Sequence, residues 1–339
     1  MTDLFSSLPP LLLRWYNAHK RDLPWRQDRE PYHVWLSEIM LQQTRVEAVR
    51  GYYTRFLTAL PTIRDLAQAS PELVNKLWEG LGYYSRARNL QKAAGQILQL
   101  HGGVFPSDYD SIRALAGIGD YTAGAIGSIC FELPTPAVDG NVLRVCSRLT
   151  ADSSPIDKPQ TKKELTGHLA AVYPPGHCGD FTQSLMELGA TVCLPNGTPL
   201  CHVCPLAAIC LAHRDHIETE LPIKTPKKPR RVEEMTVLLL HRDGEYAMAR
   251  RPDEGLLAGL WEFPHVPGKL ELQEVLELLE QWQAVPEEIE QSVERTHIFT
   301  HVQWNMRGFY IRCQALPPHI PHGRPEAYAL PTAFRLFLD

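Results

Sequence analysis

The sequence has no apolar run of the roughly 18 residues that a membrane-spanning helix requires, although hydrophobic residues make up 44% of its 339 residues. Its first residues, MTDLFSSLPPLLLRW, contain neither a basic start nor a small-residue cleavage site, so no signal peptide is predicted. We therefore expect no membrane partner and a reducing cytoplasm, in which the eight cysteines would not form a disulfide framework.

The sequence also lacks the strong positive charge of many nucleic-acid-binding proteins, because its formal net charge is −5. The charge is unevenly distributed. Residues 1–231 contain 25 Lys and Arg against 22 Asp and Glu, a net +3, whereas residues 232–339 contain 9 against 17, a net −8. An excess of +3 is explained equally well by a solvated helical surface and by a nucleic-acid partner. Charge alone therefore does not indicate whether the protein binds DNA.

The first two thirds of the sequence have a helical pattern. Apolar residues recur at the helical period from Leu11 to about Cys210, and Gly and Pro interrupt them at intervals that fit short loops. Ser70 followed by Pro71 is typical of a helix N-cap and first helical residue, and a further helix is predicted from Ser85 up to the glycines that follow it. We therefore predict an all-α domain over residues 1–217.

The pattern changes after a basic, proline-rich stretch. The segment ETELPIKTPKKPRRVEE contains three prolines and five basic residues, so residues 218–232 are predicted to be a linker. Beyond it, MTVLLL and EYAMARR flank a turn at Asp243 and Gly244 and predict a β-hairpin. A helix over 270–281 and a strand at VQWNMRGFYIRC follow. At this length more than one domain is expected, and we predict an α/β domain over residues 233–339.

Four cysteines lie within 18 residues, in CLPNGTPLCHVCPLAAIC. They are Cys193, Cys201, Cys204 and Cys210. Four thiolates so close in a reducing compartment indicate a metal site, and their spacing suits either a tetrahedral zinc or a [4Fe–4S] cluster. The other four cysteines lie elsewhere, and Cys130 and Cys146 have the apolar neighbours of ordinary core residues.

Three further features carry chemistry. In LAGIGDYTAGAIGSI, Gly117 and Gly119 form a turn between helices that suits either a phosphate contact through backbone amides or a tight turn alone. Glu38 lies among apolar residues of a predicted helix, where desolvation would raise its pKa and make it a general acid. Asp139 precedes a helix whose dipole would favour a carboxylate anion. The alternative for Glu38 is an ordinary helical glutamate, and the alternative for Asp139 is an ordinary N-cap.

Together these motifs resemble the helix-hairpin-helix DNA glycosylases that carry an iron-sulfur cluster, and within them the MutY-type adenine glycosylases. LPWR, PYHVWLSEIMLQQTRV, WEGLGYYSRARNL, the hairpin, PAVDGNVLRV, LMELGATVC and the cysteine run occur in the family's order. The later GLLAGLWEFP and HIFTH resemble the family's Nudix-like C-terminal domain. No Glu-rich metal box follows Trp261, so this domain is interpreted as a recognition module.

The resemblance implies roles for the site residues. Glu38 would protonate N7 of adenine, and Asp139 would stabilise or attack the sugar carbon. Tyr121 stands where the related endonuclease III enzymes carry a Schiff-base lysine, and a phenol cannot form that imine. The resemblance thus implies a monofunctional glycosylase, with Tyr121 and Asn141 as polar supports of Asp139 and the transition state.

The resemblance also implies DNA contacts. Gln43 and Tyr83 would intercalate where the base leaves the stack, and Arg26 and Gln183 would line the adenine pocket. A loop of three residues would sense 8-oxoguanine opposite the adenine, with Thr300 in place of the family's usual serine. The loop consists of Phe299, Thr300 and His301.

The implied cofactor is a [4Fe–4S] cluster on the four cysteines. The implied partner is double-stranded DNA with A:8-oxoG or A:G mispairs, bound by a monomer in a bacterial-type cytoplasm, with repair or replication proteins recruited through the linker. The first cysteine interval, LPNGTPL, holds no Lys or Arg for phosphate. Lys158, Lys162, Lys163 or the linker would supply that charge instead.

Three other functions compete with this interpretation. An endonuclease III-like glycosylase/lyase for oxidised pyrimidines conflicts with Tyr121 and with the C-terminal domain. A Nudix hydrolase with a DNA-tethering domain conflicts with the missing metal box. A catalytically silent damage-binding protein conflicts with the presence of both Glu38 and Asp139.

Overall fold

The computed structural model describes residues 2–226 and 229–338, so Met1, Asp339 and two residues of the predicted linker, Lys227 and Lys228, lie outside the described residues. The chain divides into two compact units. The N-terminal unit is Met1–Gln68 with Asn89–Pro226, and the C-terminal unit is Ala69–Arg88 with Lys227–Asp339. Within the described ranges, no helix combines the length and the apolar character needed to cross a bilayer.

The expected change from an all-α region to an α/β region is confirmed. The helices are α1 Thr2–Ser6, α2 Leu8–His19, α3 Pro31–Leu41, α4 Val46–Ala59, α5 Ile63–Gln68, α6 Pro71–Trp78, α7 Ser85–Leu100, α8 Tyr109–Arg113, α9 Asp120–Phe131, α10 Gly140–Thr150, α11 Pro159–Ala170, α12 Cys178–Thr191, α13 Leu211–Arg214, α14 Leu272–Gln281 and α15 Thr332–Arg335. Short 3₁₀ turns cover Pro24–Arg26, Cys201–Val203, Ala207–Ile209 and Pro325–Ala327. The strands are β1 Arg231–Arg242, β2 Glu245–Ala247, β3 Ala249–Arg250, β4 Trp261–Glu262, β5 His265–Pro267, β6 Val285–Ile298, β7 Val302–Ala315 and β8 His322–Gly323.

Helix α12 is central to the N-terminal unit, where it packs against α2, α9 and α10. Phe181 and Leu185 on α12 are buried in one apolar cluster with Leu12 of α2 and Val145 of α10. Burial of such side chains contributes roughly 1.5–3 kcal/mol each. This core fixes the start of α10 and the inward face of α12, which both contribute to the recess described below.

The larger sheet of the C-terminal unit has the strand order β6-β7-β1-β2-β8, with β5 also paired to β1, and β3 and β4 form a separate two-stranded sheet. Strand β1 is parallel to β7 and antiparallel to β2. Residues 235–240 of β1 are buried without interruption because both sheet faces are covered: Val237 and Leu239 join one apolar cluster, Leu238 and Leu240 another. The predicted hairpin and helix, and the predicted strand within β7, are confirmed.

Candidate active site

A recess of about 560 Å³ in the N-terminal unit brings together most of the residues that the sequence predicted for catalysis and base binding. The residues predicted for catalysis and base binding that line it are Arg26, Glu38, Gln43, Tyr121, Asp139, Asn141 and Gln183, and Lys162, a predicted phosphate contact, also lines it. Helices α3, α9, α10 and α12 supply most of them. Residues far apart in sequence therefore share one concave site, as small-molecule and base-binding sites usually require.

Glu38 lies on α3 and is only 7% exposed. Burial raises its pKa from 4.5 to about 7, against the opposing effect of a hydrogen bond from Tyr121. The Tyr121 hydroxyl donates to Oε2 of Glu38 at 2.6 Å. The predicted direction of the pKa shift is confirmed. The Tyr121 hydroxyl thus bonds Glu38 directly, and its role as a polar support of Asp139 and the transition state stays a prediction.

Asp139 is the N-cap of α10, as the sequence predicted. Its Oδ1 accepts hydrogen bonds from the backbone N–H groups of Asn141 at 2.9 Å and Val142 at 2.8 Å. Its Oδ2 accepts one from Nδ2 of Asn141 at 2.7 Å. Burial raises the pKa of Asp139 above its usual value even though these hydrogen bonds lower it. The expected preference for the anion is therefore opposed by desolvation.

A buried arginine links this carboxyl group to the cysteine loop. Arg144 donates through Nη2 to Oδ1 of Asn141 at 2.9 Å and to the carbonyl of Gly189 at 2.7 Å. Its Nε donates to the carbonyl of Cys193 at 2.8 Å. Asn141 is thereby held from two sides, by Arg144 and by Asp139. The first turn of α10 is fixed to α12 and to the segment that follows it.

Sequence reasoning missed one carboxylate of the recess, Glu187 on α12. It is fully buried, and it binds Arg21 at 2.7 Å and Arg26 at 2.8 Å. Burial alone would raise its pKa, but hydrogen bonds from both guanidinium groups lower it to about 2. The Arg26 guanidinium lies over the Tyr16 ring, 5.5 Å from its centre, and the Tyr16 hydroxyl donates to Oε1 of Gln183 at 3.1 Å. The only earlier signal for Glu187 was its place in the motif LMELGATVC.

Gln43 and the hairpin glycines lie in turns with distinct backbone geometry. Gln43 is exposed, borders the recess and has a φ of 58°, a strained conformation for a residue other than glycine. Gly117 has a φ of 73°, and a Cβ there would lie 2.5 Å from the Cβ of Asn89, so the turn needs glycine. Gly119 is the N-cap of α9 and faces open space. The predicted hairpin between two helices, α8 and α9, is confirmed.

The four clustered cysteines line one small, largely apolar cavity of about 30 Å³. None of them forms a disulfide bond. Arg148 points Nη1 toward Sγ of Cys193 at 3.3 Å, as a charge-assisted donor to sulfur. A second group of metal-capable side chains overlaps this cavity, since Cys201, His213 and Glu218 have donor atoms within 4.8 Å of one another. The sequence had not singled out His213 or Glu218.

Two further predicted features, Tyr83 and the loop at 299–301, lie in the C-terminal unit. Tyr83 is 46% exposed and has a φ of 47°. Its hydroxyl lies 2.8 Å from Oγ1 of Thr300. Phe299 packs edge-on against Trp304 at 4.8 Å between ring centroids, while Thr300 and His301 are exposed. The structure thus brings a predicted intercalating residue into contact with the predicted opposite-base loop.

Comparison with protein families identifies both regions. The family described as HhH-GPD superfamily base excision DNA repair protein matches residues 36–171, and the NUDIX domain family matches residues 235–339. A solved thermostable thymine-DNA glycosylase is 28% identical with a TM-score of 0.57, covering 63% of this chain and 97% of that one. A trapped endonuclease III–DNA covalent intermediate, 22% identical with a TM-score of 0.54 over 64% of this chain and 99% of that one, shares the fold.

Full-length relatives extend the likeness across both units. The adenine DNA glycosylase of Rattus norvegicus is 37% identical over 91% of this chain and 70% of its own length. The human adenine DNA glycosylase is 36% identical over 92% and 68%, respectively. That of Buchnera aphidicola subsp. Acyrthosiphon pisum is 31% identical over 89% and 85%. The family predicted from the motifs is confirmed: the chain is a DNA N-glycosylase and belongs to the MutY-type adenine DNA glycosylases.

Proposed function

We propose that the recess cleaves adenine from duplex DNA in which the adenine is mispaired with 8-oxoguanine or guanine. One observation carries the proposal: Glu38 and Asp139 line the same recess, and burial raises the pKa of Glu38 to about 7. A carboxyl group with that pKa retains a proton near neutral pH and can give it to a leaving base. The size of the recess suits a base turned out of the helix.

Glu38 is the acid in this mechanism. Because the Tyr121 hydroxyl donates to Oε2, the acidic proton of Glu38 resides on the other oxygen, Oε1. Transfer of this proton to N7 makes adenine a better leaving group. The bond between the sugar carbon and N9 then breaks, and its electron pair leaves with the base.

Asp139 stabilises the positive charge that develops on the sugar. Its three hydrogen bonds fix the carboxylate in place, and its raised pKa means that the anion is poorly solvated before the reaction. A cationic sugar supplies the missing charge partner, so the attraction is stronger in the transition state than in the ground state. Water then bonds to the sugar carbon and releases a proton to the Glu38 carboxylate. Tyr121 offers no amine for strand cleavage.

Arg26 and Gln183 are the proposed contacts to adenine, and Gln43 and Tyr83 are the proposed wedges. An amide can pair with an adenine edge, and Gln43 and Tyr83 both lie in turns with positive φ and have exposed side chains. The loop Phe299–His301 is proposed to read the opposite base, with the exposed Thr300 hydroxyl as a donor or acceptor.

We further propose that the four cysteines hold a [4Fe–4S] cluster. The donor set fits such a group because all four thiols are free and line one apolar cavity, with Arg148 directed at one sulfur. The cluster, when bound, supplies a rigid cross-link between the cysteine loop and the preceding helices. Visible absorbance of the purified protein together with iron and zinc analysis tests this proposal, and zinc without iron would contradict it.

Adenine release from duplexes with adenine opposite 8-oxoguanine, guanine or thymine tests the function. We expect release opposite the first two, with strand breaks only after alkali. Glu38→Gln and Asp139→Asn should abolish release but leave duplex binding, whereas Glu72→Gln and Asp110→Asn, at exposed helical carboxylates, should change neither. Near-normal turnover by Asp139→Asn, or strand nicking without alkali, would refute the mechanism.

A further inference from the structure

The segment Ala69–Arg88 packs with the C-terminal unit, although the residues on both sides of it belong to the N-terminal unit. It contains α6 and the turn that carries Tyr83. Glu79 ends α6, and its side chain is only 11% exposed. One carboxylate therefore has to find all of its partners within the protein, because little water reaches it.

Glu79 has three such partners. Its Oε1 accepts a hydrogen bond from the backbone N–H of Leu330 at 3.1 Å. It forms ion pairs with Lys76 at 2.8 Å and with Arg335 at 3.5 Å. Lys76 in turn donates from Nζ to backbone carbonyl groups of the same C-terminal stretch, 326–328, at 2.8 and 3.2 Å. These contacts join the end of α6 to α15 and to the segment that precedes it.

A second anchor lies at the other end of the segment, where Nη1 of Arg88 donates to the carbonyl of Ala258 at 2.8 Å. Between the anchors, the turn is braced internally. Nε1 of Trp78 donates to the carbonyl of Gly82 at 3.1 Å, and the Arg86 guanidinium lies 5.6 Å from the centre of the Tyr83 ring. A turn fixed at both ends and internally holds its one exposed aromatic side chain in a single orientation.

We propose that Glu79 is a positioning residue for opposite-base recognition: it holds the Tyr83 turn so that the Tyr83 hydroxyl stays paired with Thr300. The pair then meets the DNA as one rigid element, and Thr300 presents its hydroxyl to the opposite base in a fixed direction. This inference rests on the proposed function, because it takes the loop containing Thr300 as the reader of that base.

The test compares Glu79→Ala and Glu79→Gln with Glu72→Ala, a change at an exposed glutamate in the first turn of the same helix. The readout is the ratio of kcat/KM for adenine opposite 8-oxoguanine to that opposite guanine, in the full chain. We expect Glu79→Ala to lower this ratio about tenfold, which corresponds to about 1.4 kcal/mol. The single-turnover rate on the guanine mispair at saturating enzyme should stay within about twofold.

Glu79→Gln keeps the acceptor for the Leu330 N–H but loses both ion pairs. Its kcat/KM ratio should therefore lie between that of Glu79→Ala and that of Glu72→Ala. Amide hydrogen exchange of the DNA-free protein supplies a second readout. Glu79→Ala should increase the exchange rates of residues 79–86, and Glu72→Ala should leave them unchanged. An unchanged ratio together with unchanged exchange in Glu79→Ala and Glu79→Gln would overturn the inference. If the unsubstituted protein releases no adenine, or shows no preference for 8-oxoguanine, the proposed function itself fails.

Discussion

Replacing Tyr121 with phenylalanine should move the pH range in which adenine is released. The phenyl ring keeps the packing of Tyr121 against the cluster of Val34, Ala125 and Ile129, so the change removes the hydroxyl alone. That hydroxyl donates to Glu38 at 2.6 Å and lowers the pKa of its carboxyl group, in opposition to the effect of burial. Without it the anion loses a donor, and the pKa of Glu38 must rise further.

The size of the shift follows from the worth of the hydrogen bond. A hydrogen bond to a charged group contributes about 1.5–3 kcal/mol, and each pKa unit corresponds to about 1.4 kcal/mol. The pKa of Glu38, about 7 in the unsubstituted protein, should therefore rise by about one to two units. Because the protonated acid is the active form, adenine release falls as the pH rises through this pKa, and the descending limb should move to higher pH.

The assay is the single-turnover rate of adenine release between pH 5.5 and 9. We expect the ratio of the rate at pH 8.5 to that at pH 6 to increase about tenfold in Tyr121→Phe. Tyr173→Phe is the matched control, because its buried hydroxyl pairs with Thr182 at 2.8 Å outside the recess. A limb that stays in place or moves to lower pH in Tyr121→Phe would refute the assignment of Glu38 as the acid.

Three further predictions concern stability and the active-site scaffold. Glu38→Gln should raise the Tm more at pH 8 than at pH 5. The pKa of Glu38 is about 7 in the folded protein and 4.5 in the unfolded chain, so the unsubstituted protein loses up to about 3 kcal/mol of stability as the pH rises through 7. Equal gains in Tm at both pH values would contradict this. Arg144→Gln should lower the free energy of unfolding by about 3 kcal/mol in urea titrations, because it leaves three acceptors, two of them fully buried, without their guanidinium donor. Gly189→Ala should reduce adenine release, because its Cβ would lie 2.5 Å from that of Asn141, whereas Gly95→Ala on α7 meets nothing within 4 Å and should be neutral or stabilising by about 1 kcal/mol.

Local features of the fold were predictable where they leave local signals. The N-cap at Ser70 accepts its hydrogen bond from the Leu73 N–H at 3.2 Å, and α7 spans Ser85–Leu100 as expected. Strand β6, Val285–Ile298, was not predicted. It forms the edge of the sheet and most of its residues are exposed, so its sequence EEIEQSVERTHI has too few apolar residues to show a period of two.

The sequence predicted most residues of the site, but only some of the contacts that these residues make with one another. The apolar neighbours of Glu38 indicated a raised pKa, and the position of Asp139 before α10 indicated an N-cap. The binding of Arg21 by Glu187 crosses 166 positions of sequence, and the choice of Tyr121 between two nearby carboxyl groups depends on helix packing. Such contacts are set by tertiary structure, which a single sequence does not display.

The recess holds two glutamates with the same covalent chemistry and opposite behaviour. The pKa of Glu38 is about 7 and that of Glu187 is about 2, so at pH 6 one is mainly a carboxylic acid and the other a carboxylate. Diazo reagents esterify the acid form, whereas an ionised group locked between two guanidinium groups is inert to them. A small diazo compound should therefore esterify Glu38 in preference to Glu187. Such labelling would identify the proton-donating residue without any substitution in the chain.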